Sequence, residues 1–141
     1  MSSPGNRTSS LTISNELVQT IVNTGGYTHP LFNPTEAGTA ETINVPLPGQ
    51  GVLLLMGGLI EQSGALDHAI ALLELRNVKF SRMVRAGSTI SVSMTPLESF
   101  RTSSGKIIQH YRWVVVDEND DTVLEAESVM LMREKEKRTE S

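Results

Sequence analysis

The stretch Gln50-Gly51-Val52-Leu53-Leu54-Leu55-Met56-Gly57-Gly58-Leu59 is almost wholly apolar. A surface helix carries a polar stripe, and this run has none, so it predicts a helix at the centre of a core. It is too short to span a bilayer, which takes roughly 20 apolar residues. The rest of the chain must wrap it. Gln50-Gly51 stands where the helix begins. Backbone N–H groups there lack helical partners, and a glycine lets a ligand come close, so this end is a candidate oxyanion site.

With 141 residues the chain has the length of one domain. The formal net charge is −4, and no Lys/Arg cluster is interleaved with aromatics, which argues against nucleic acid as a partner. The absence of cysteine removes thiol catalysis, disulfides and Cys-ligated metals together. No apolar segment follows the N-terminus as a signal peptide would require, so the chain reads as cytoplasmic, without a membrane partner.

Residues 1–10 are rich in Ser, Gly, Pro and Asn and read as a disordered tail. A short strand is expected at Leu11 to Ile13. Ser14 then caps a helix whose apolar residues are Leu17, Val18, Ile21 and Val22, stopped by Asn23-Thr24-Gly25-Gly26. Asn33 to Gln50, with three prolines and two glycines, reads as a long loop covering a site. Beyond the central helix, alternating patterns at Leu72 to Phe80, Ser88 to Leu97, Lys106 to Val116 and Thr122 to Met132 predict an antiparallel meander, with Pro96 at an edge or bulge and Glu118 to Asp121 as a hairpin turn. Gly57-Gly58 is expected to allow close helix-to-sheet packing. Residues 134–141 read as a charged tail, leaving 11–133 as the domain.

One buried helix followed by a meander predicts an α+β hot-dog fold, a curved antiparallel sheet wrapped around a central apolar helix. Such a sheet leaves an edge open, and pairing two edges across a two-fold axis covers it, so a homodimer is expected.

Three motifs carry a family resemblance over roughly residues 12–133. Gly26-Tyr27-Thr28-His29-Pro30-Leu31-Phe32 is similar to the turn Gly-Asp-x-Asn-Pro-x-His of the MaoC-like dehydratases and R-specific enoyl-CoA hydratases. Gln50-Gly51-Val52-Leu53 is similar to their His-Gly-Met-Leu helix start. Asn77 to Thr89 resembles their Val-Arg-Phe-x-x-Pro-Val-x-x-Gly-Asp-Thr. The resemblance implies a dimeric hot-dog protein acting on a thioester of coenzyme A or of a carrier protein, adding or removing water, with no cofactor. It also implies that the glycine amide at the helix start, here Gly51, holds the thioester oxygen. The family's Asp falls on Tyr27, its catalytic His on Phe32, its Asn on His29, and the His before the helix glycine on Gln50.

Phenols titrate near pH 10 in water, and a benzyl ring transfers no proton, so the usual water-activating pair is missing. His29 and Tyr27 are the remaining candidates for proton transfer. Each also has a structural alternative, His29 as a turn residue ahead of Pro30 and Tyr27 as a ring packed on the loop. Gln50 either orients substrate or caps the helix, and Phe32 lines the cavity. His68 and His110 lack metal-ligand spacing, so no metal is expected. Three functions follow: a lyase with a rebuilt site, a cyclase or isomerase of a polyketide-type intermediate whose nucleophile belongs to the substrate, and a non-catalytic acyl-binding subunit.

Overall fold

The computed structural model describes residues 7–33 and 45–134. Its elements in chain order are β1 (Leu11–Thr12), α1 (Asn15–Gly25), β2 (Pro46–Leu47), α2 (Gly49–Gln62), β3 (Ala69–Phe80), β4 (Val84–Arg85), β5 (Thr89–Arg101), β6 (Ile107–Val116) and β7 (Thr122–Met132). Five strands form one antiparallel sheet in the order β1-β5-β6-β7-β3, and β2 and β4 pair separately. The α+β hot-dog arrangement expected from the sequence is present.

Alternation in the strands decides what faces the helix. Met94 of β5, Trp113 and Val115 of β6, and Leu124, Ala126 and Met130 of β7 join one core with Val52, Met56, Leu59 and Ile60 of α2. Burial of each Val, Leu, Ile or Met among them contributes roughly 1.5–3 kcal/mol. Helix α1 adds Val18 and Val22. It starts where expected, with Ser14 Oγ accepting the Leu17 N–H at 3.0 Å, and ends at Gly26 in the left-handed region, φ +75°. Pro96 sits at a register shift between β5 and β6, where its missing N–H costs the ladder little. In the β6–β7 turn, Asp117 Oδ1 accepts the N–H groups of Asn119 and Asp121.

Four expectations need correction. Helix α2 is not buried all round: Leu54 is 64% exposed, and Gly57 and Gly58 face open space, so these glycines do not serve helix-to-sheet packing. The strand after α2 begins at Ala69 rather than Leu72, because the chain leaves the helix through a turn at Gly64 and pairs at once with Met132. The expected tail does not reach residue 10. Thr8 is buried, its N–H donates to the Val92 carbonyl at 2.8 Å and its Oγ1 accepts the Val92 N–H at 3.0 Å, so residues 7–10 run along β5, whose backbone they satisfy. At the other end, Glu134 is held by Arg101 at 2.6 Å. Residues 1–6, the loop segment 34–44 and residues 135–141 lie outside the described residues.

Candidate ligand site

Two glycines place Tyr27. Gly26 turns the chain out of α1, and at Gly25 a Cβ would stand 2.6 Å from the Tyr27 ring, so only a residue without a side chain lets the ring fold back over the helix end. The Tyr27 carbonyl accepts a bond from the Asn33 side-chain amide. Across the turn, Phe32 meets Tyr27 edge to face, with ring centroids 5.2 Å apart and planes at 69°. Such a pair contributes about 0.5–1.5 kcal/mol beyond burial. The two positions that resemble the hydratase dyad are thus neighbours in space, occupied by a stable pair of rings.

Tyr27 also reaches the helix start. Its hydroxyl donates to Gln50 Oε1 at 3.2 Å, which leaves the Gln50 NH₂ group to a ligand. Both line a cavity of about 420 Å³ between α1 and α2, with Thr20, Ile21, Leu54 and Leu55 among its walls. None of its lining residues carries a charge at neutral pH. Phe32 lines a different cavity, of about 330 Å³, with Leu47, Gly49, Phe80, Arg82 and Met83. The ring pair stands where these two cavities approach each other.

Gly51 and His29 behave differently from expectation. Gly51 lines the Tyr27 cavity, but its N–H donates to the Pro48 carbonyl at 2.8 Å, a three-residue bond that tightens the first turn. A Cβ there would lie 3.1 Å from Ile21 Cγ2 and 3.2 Å from Leu47 Cδ1. Packing of α1 and β2 on the helix start therefore explains this glycine. Among the described residues the Gly49 and Gln50 N–H groups have no acceptor. His29 lines neither cavity. Its Nδ1 accepts the Leu31 N–H at 3.0 Å, and its carbonyl accepts those of Phe32 and Asn33. It is an exposed turn residue, and the expected proton-transfer role finds no support in its surroundings.

The imidazole that sequence reasoning passed over is His110. It is 4% exposed, its Nδ1 lies 3.2 Å from Glu127 Oε2, and the Phe100 ring meets it edge to face at 5.5 Å. Alternation puts it on the sheet face turned away from α2. The signal that could have found it is cross-strand register, since Glu127 stands opposite Arg112, two residues along β6. Among the described residues no group of His, Asp and Glu could hold a metal, and no helix is long and apolar enough to cross a membrane.

No family pattern and no curated protein matches the chain in sequence. Solved structures do match it. The monoamine oxidase regulatory protein of Archaeoglobus fulgius is 20% identical with a TM-score of 0.77, covering 92% of this chain and 88% of its own. The (R)-hydratase from A. caviae involved in PHA biosynthesis is 16% identical with a TM-score of 0.70, covering 93% and 97%. A putative MaoC domain protein dehydratase from Chloroflexus aurantiacus J-10-fl is 21% identical with a TM-score of 0.79, and this chain spans 37% of its length. The fold is the hot-dog fold of the MaoC-like dehydratases and (R)-hydratases.

Proposed function

We propose that the chain binds an acyl thioester, linked to coenzyme A or to a carrier protein, with its acyl part in the Tyr27–Gln50 cavity, and that it does not itself activate water. The observation that supports this reading most is the Tyr27–Gln50 hydrogen bond at the wall of a cavity without charged lining. An apolar cavity with a few convergent polar groups suits a ligand that is mostly hydrocarbon with one carbonyl. The Gln50 NH₂ group, oriented by the Tyr27 hydroxyl that donates to Gln50 Oε1, supplies the donor, while none of the lining residues described is a general base for water.

A second reading, lyase- or cyclase-type turnover, is favoured by the Tyr27 hydroxyl itself. It could pass a proton to an enolate oxygen when the substrate supplies its own nucleophile, and positioning would do most of the work. In either case the chain assembles as a homodimer, because β3 ends the sheet with exposed apolar side chains.

Calorimetric titration with hexanoyl-CoA tests the binding. Tyr27→Phe should weaken it about tenfold, the effect of one hydrogen bond, and Leu54→Arg, which puts a cation into the wall, more. Equal affinity in all three proteins would place the ligand elsewhere. Mass spectrometry of 2-enoyl and 3-hydroxyacyl thioesters after incubation separates the readings: Tyr27-dependent consumption establishes turnover, and unchanged thioester establishes binding alone.

A further inference from the structure

An acyl thioester has a second half, the arm carried on its sulfur, and the cavity of about 330 Å³ also borders the helix start. Gly49 lines it, while the next two residues, Gln50 and Gly51, line the Tyr27 cavity. Phe80 packs on this end of α2, since a Cβ at Gly49 would stand 2.9 Å from its ring. Three large apolar side chains of the cavity wall are open to water: Met83 is 59% exposed, Phe80 52% and Leu31 43%. Exposed apolar side chains gathered in one place mark a contact surface, whereas single ones do not. Cations flank them. The stretch from Leu75 to Ser88 holds Arg76, Lys79, Arg82 and Arg85 and no acid, in a chain of net charge −4. Arg82 lines the cavity itself. Arg85 pairs across β4 and β2 with Pro46, another wall residue, and its Nη2 lies 3.7 Å from Met83 Sδ, so a guanidinium stands against the apolar rim. Arg82 meets Asp121 at 3.3 Å, with both side chains about half exposed. An ion pair so open to water contributes little and exchanges readily for another partner.

We propose that this rim docks an acidic carrier protein, whose acyl-bearing arm enters the 330 Å³ cavity and passes Gly49 to bring the thioester to Gln50. The proposal rests on the acyl-thioester reading and selects a carrier protein over free coenzyme A. Coenzyme A brings several phosphate charges with it, and Arg82 is the one charged residue among those that line the cavity. The other cations lie outside the cavity, along β3 and β4, where a small ligand would leave most of them unused. A protein surface reaches them together with Met83, Phe80 and Leu31. Protein interfaces are enriched in Met, Phe and Arg. Complementary charge steers the encounter and fixes orientation, and the apolar contacts at the rim hold the docked partner.

Calorimetric titration with three probes tests the docking: a hexanoyl-loaded acyl carrier protein, hexanoyl-CoA and hexanoyl-pantetheine, each at low salt and at about 0.15 M. The carrier protein should bind about tenfold tighter than hexanoyl-pantetheine at low salt, and the preference should shrink as salt rises. Arg85→Glu and Met83→Asp should each reduce that preference about tenfold, one by reversing a charge and the other by wetting the apolar rim. Both side chains are exposed, and circular dichroism confirms that the variants fold. A preference that survives both substitutions overturns the proposal, as does equal affinity for the three probes, which leaves the acyl-thioester reading standing. Hexanoyl-CoA as the tightest ligand, weakened by Arg82→Ala, assigns the cations to its phosphates and also overturns it. Self-association lost in Met83→Asp, without carrier binding, gives the rim to a second copy instead. Binding of none of the three probes overturns the docking and the acyl-thioester reading together.

Discussion

Two imidazoles in this chain have exchanged the standing their sequence contexts suggested. His29 sits inside a turn that resembles a catalytic motif, yet it is exposed and its Nδ1 is occupied by the Leu31 N–H. His110 sits in a plain strand pattern, yet it is buried beside a carboxylate and under an aromatic edge. A motif position tells where a functional group would be, while the environment tells whether it can act. At His29 the ring and carbonyl hold a turn, and the side chains that meet across it are the rings of Tyr27 and Phe32. At His110 a buried ring meets a partly exposed carboxylate on the outer face of the sheet, a contact that no short motif announces.

The largest expected effect separates the two regions directly. His110→Ala removes a packed ring and leaves Glu127 without its partner, so urea denaturation should show a loss of about 2–3 kcal/mol. His29→Ala should change stability by less than about 0.5 kcal/mol, as exposed substitutions usually do. Equal losses would mean that burial at His110 contributes nothing special.

Gly51→Val sharpens the comparison at the helix start. Its Cβ would press on Ile21 and Leu47 at 3.1–3.2 Å, and overpacking of this kind costs about 1–3 kcal/mol. A variant as stable as wild type that has lost ligand binding would return Gly51 to the role of oxyanion donor.

A third test concerns pH. Tyr111 is half-buried and stacks on Trp113 at 6.2 Å, and burial pushes its phenol above the ordinary value of 10.0. Its neutral form is favoured in the folded state, so this contribution is complete below about pH 10. It is lost as pH rises from there through the higher folded value, because the unfolded chain releases the proton first. Tyr111→Phe should flatten that alkaline decline, and an unchanged pH profile would assign the decline to other groups. The smallest effect is expected at Ser128, whose buried Oγ has no partner among the described residues. Ser128→Ala should be neutral or stabilising by up to about 1 kcal/mol, and a clear loss would reveal a bond supplied by water or ligand.

Much of the fold was legible because it rests on periodicity. Ile90, Val92 and Met94 alternate with serines, and the apolar run from Val52 to Leu59 has no polar stripe, so strand and helix announced themselves. Leu54, Gly57 and Gly58 misled for the same reason, since composition cannot tell a face covered by the chain's own sheet from one left open. At the site, Tyr27, Gln50 and Gly51 line one cavity, whereas His29, which the turn motif placed with them, lines neither. The contact of Phe32 with Tyr27 needed the turn's geometry. The pairing of His110 with Glu127 needed the β6–β7 register, which no single strand encodes.

The claim that this chain holds an acyl group without activating water is tested most directly by the absorbance of crotonyl-CoA during incubation with the folded protein, beside the double variant Tyr27→Asp with Phe32→His. Those two positions are in contact, so the variant sets a carboxylate and an imidazole within reach of each other. The expected result is background hydration by the wild type and measurable hydration by the variant, where a positioned acid–base pair contributes about 10²-fold or more. Rapid hydration by the wild type, lost in Tyr27→Phe or His29→Ala, would contradict the claim.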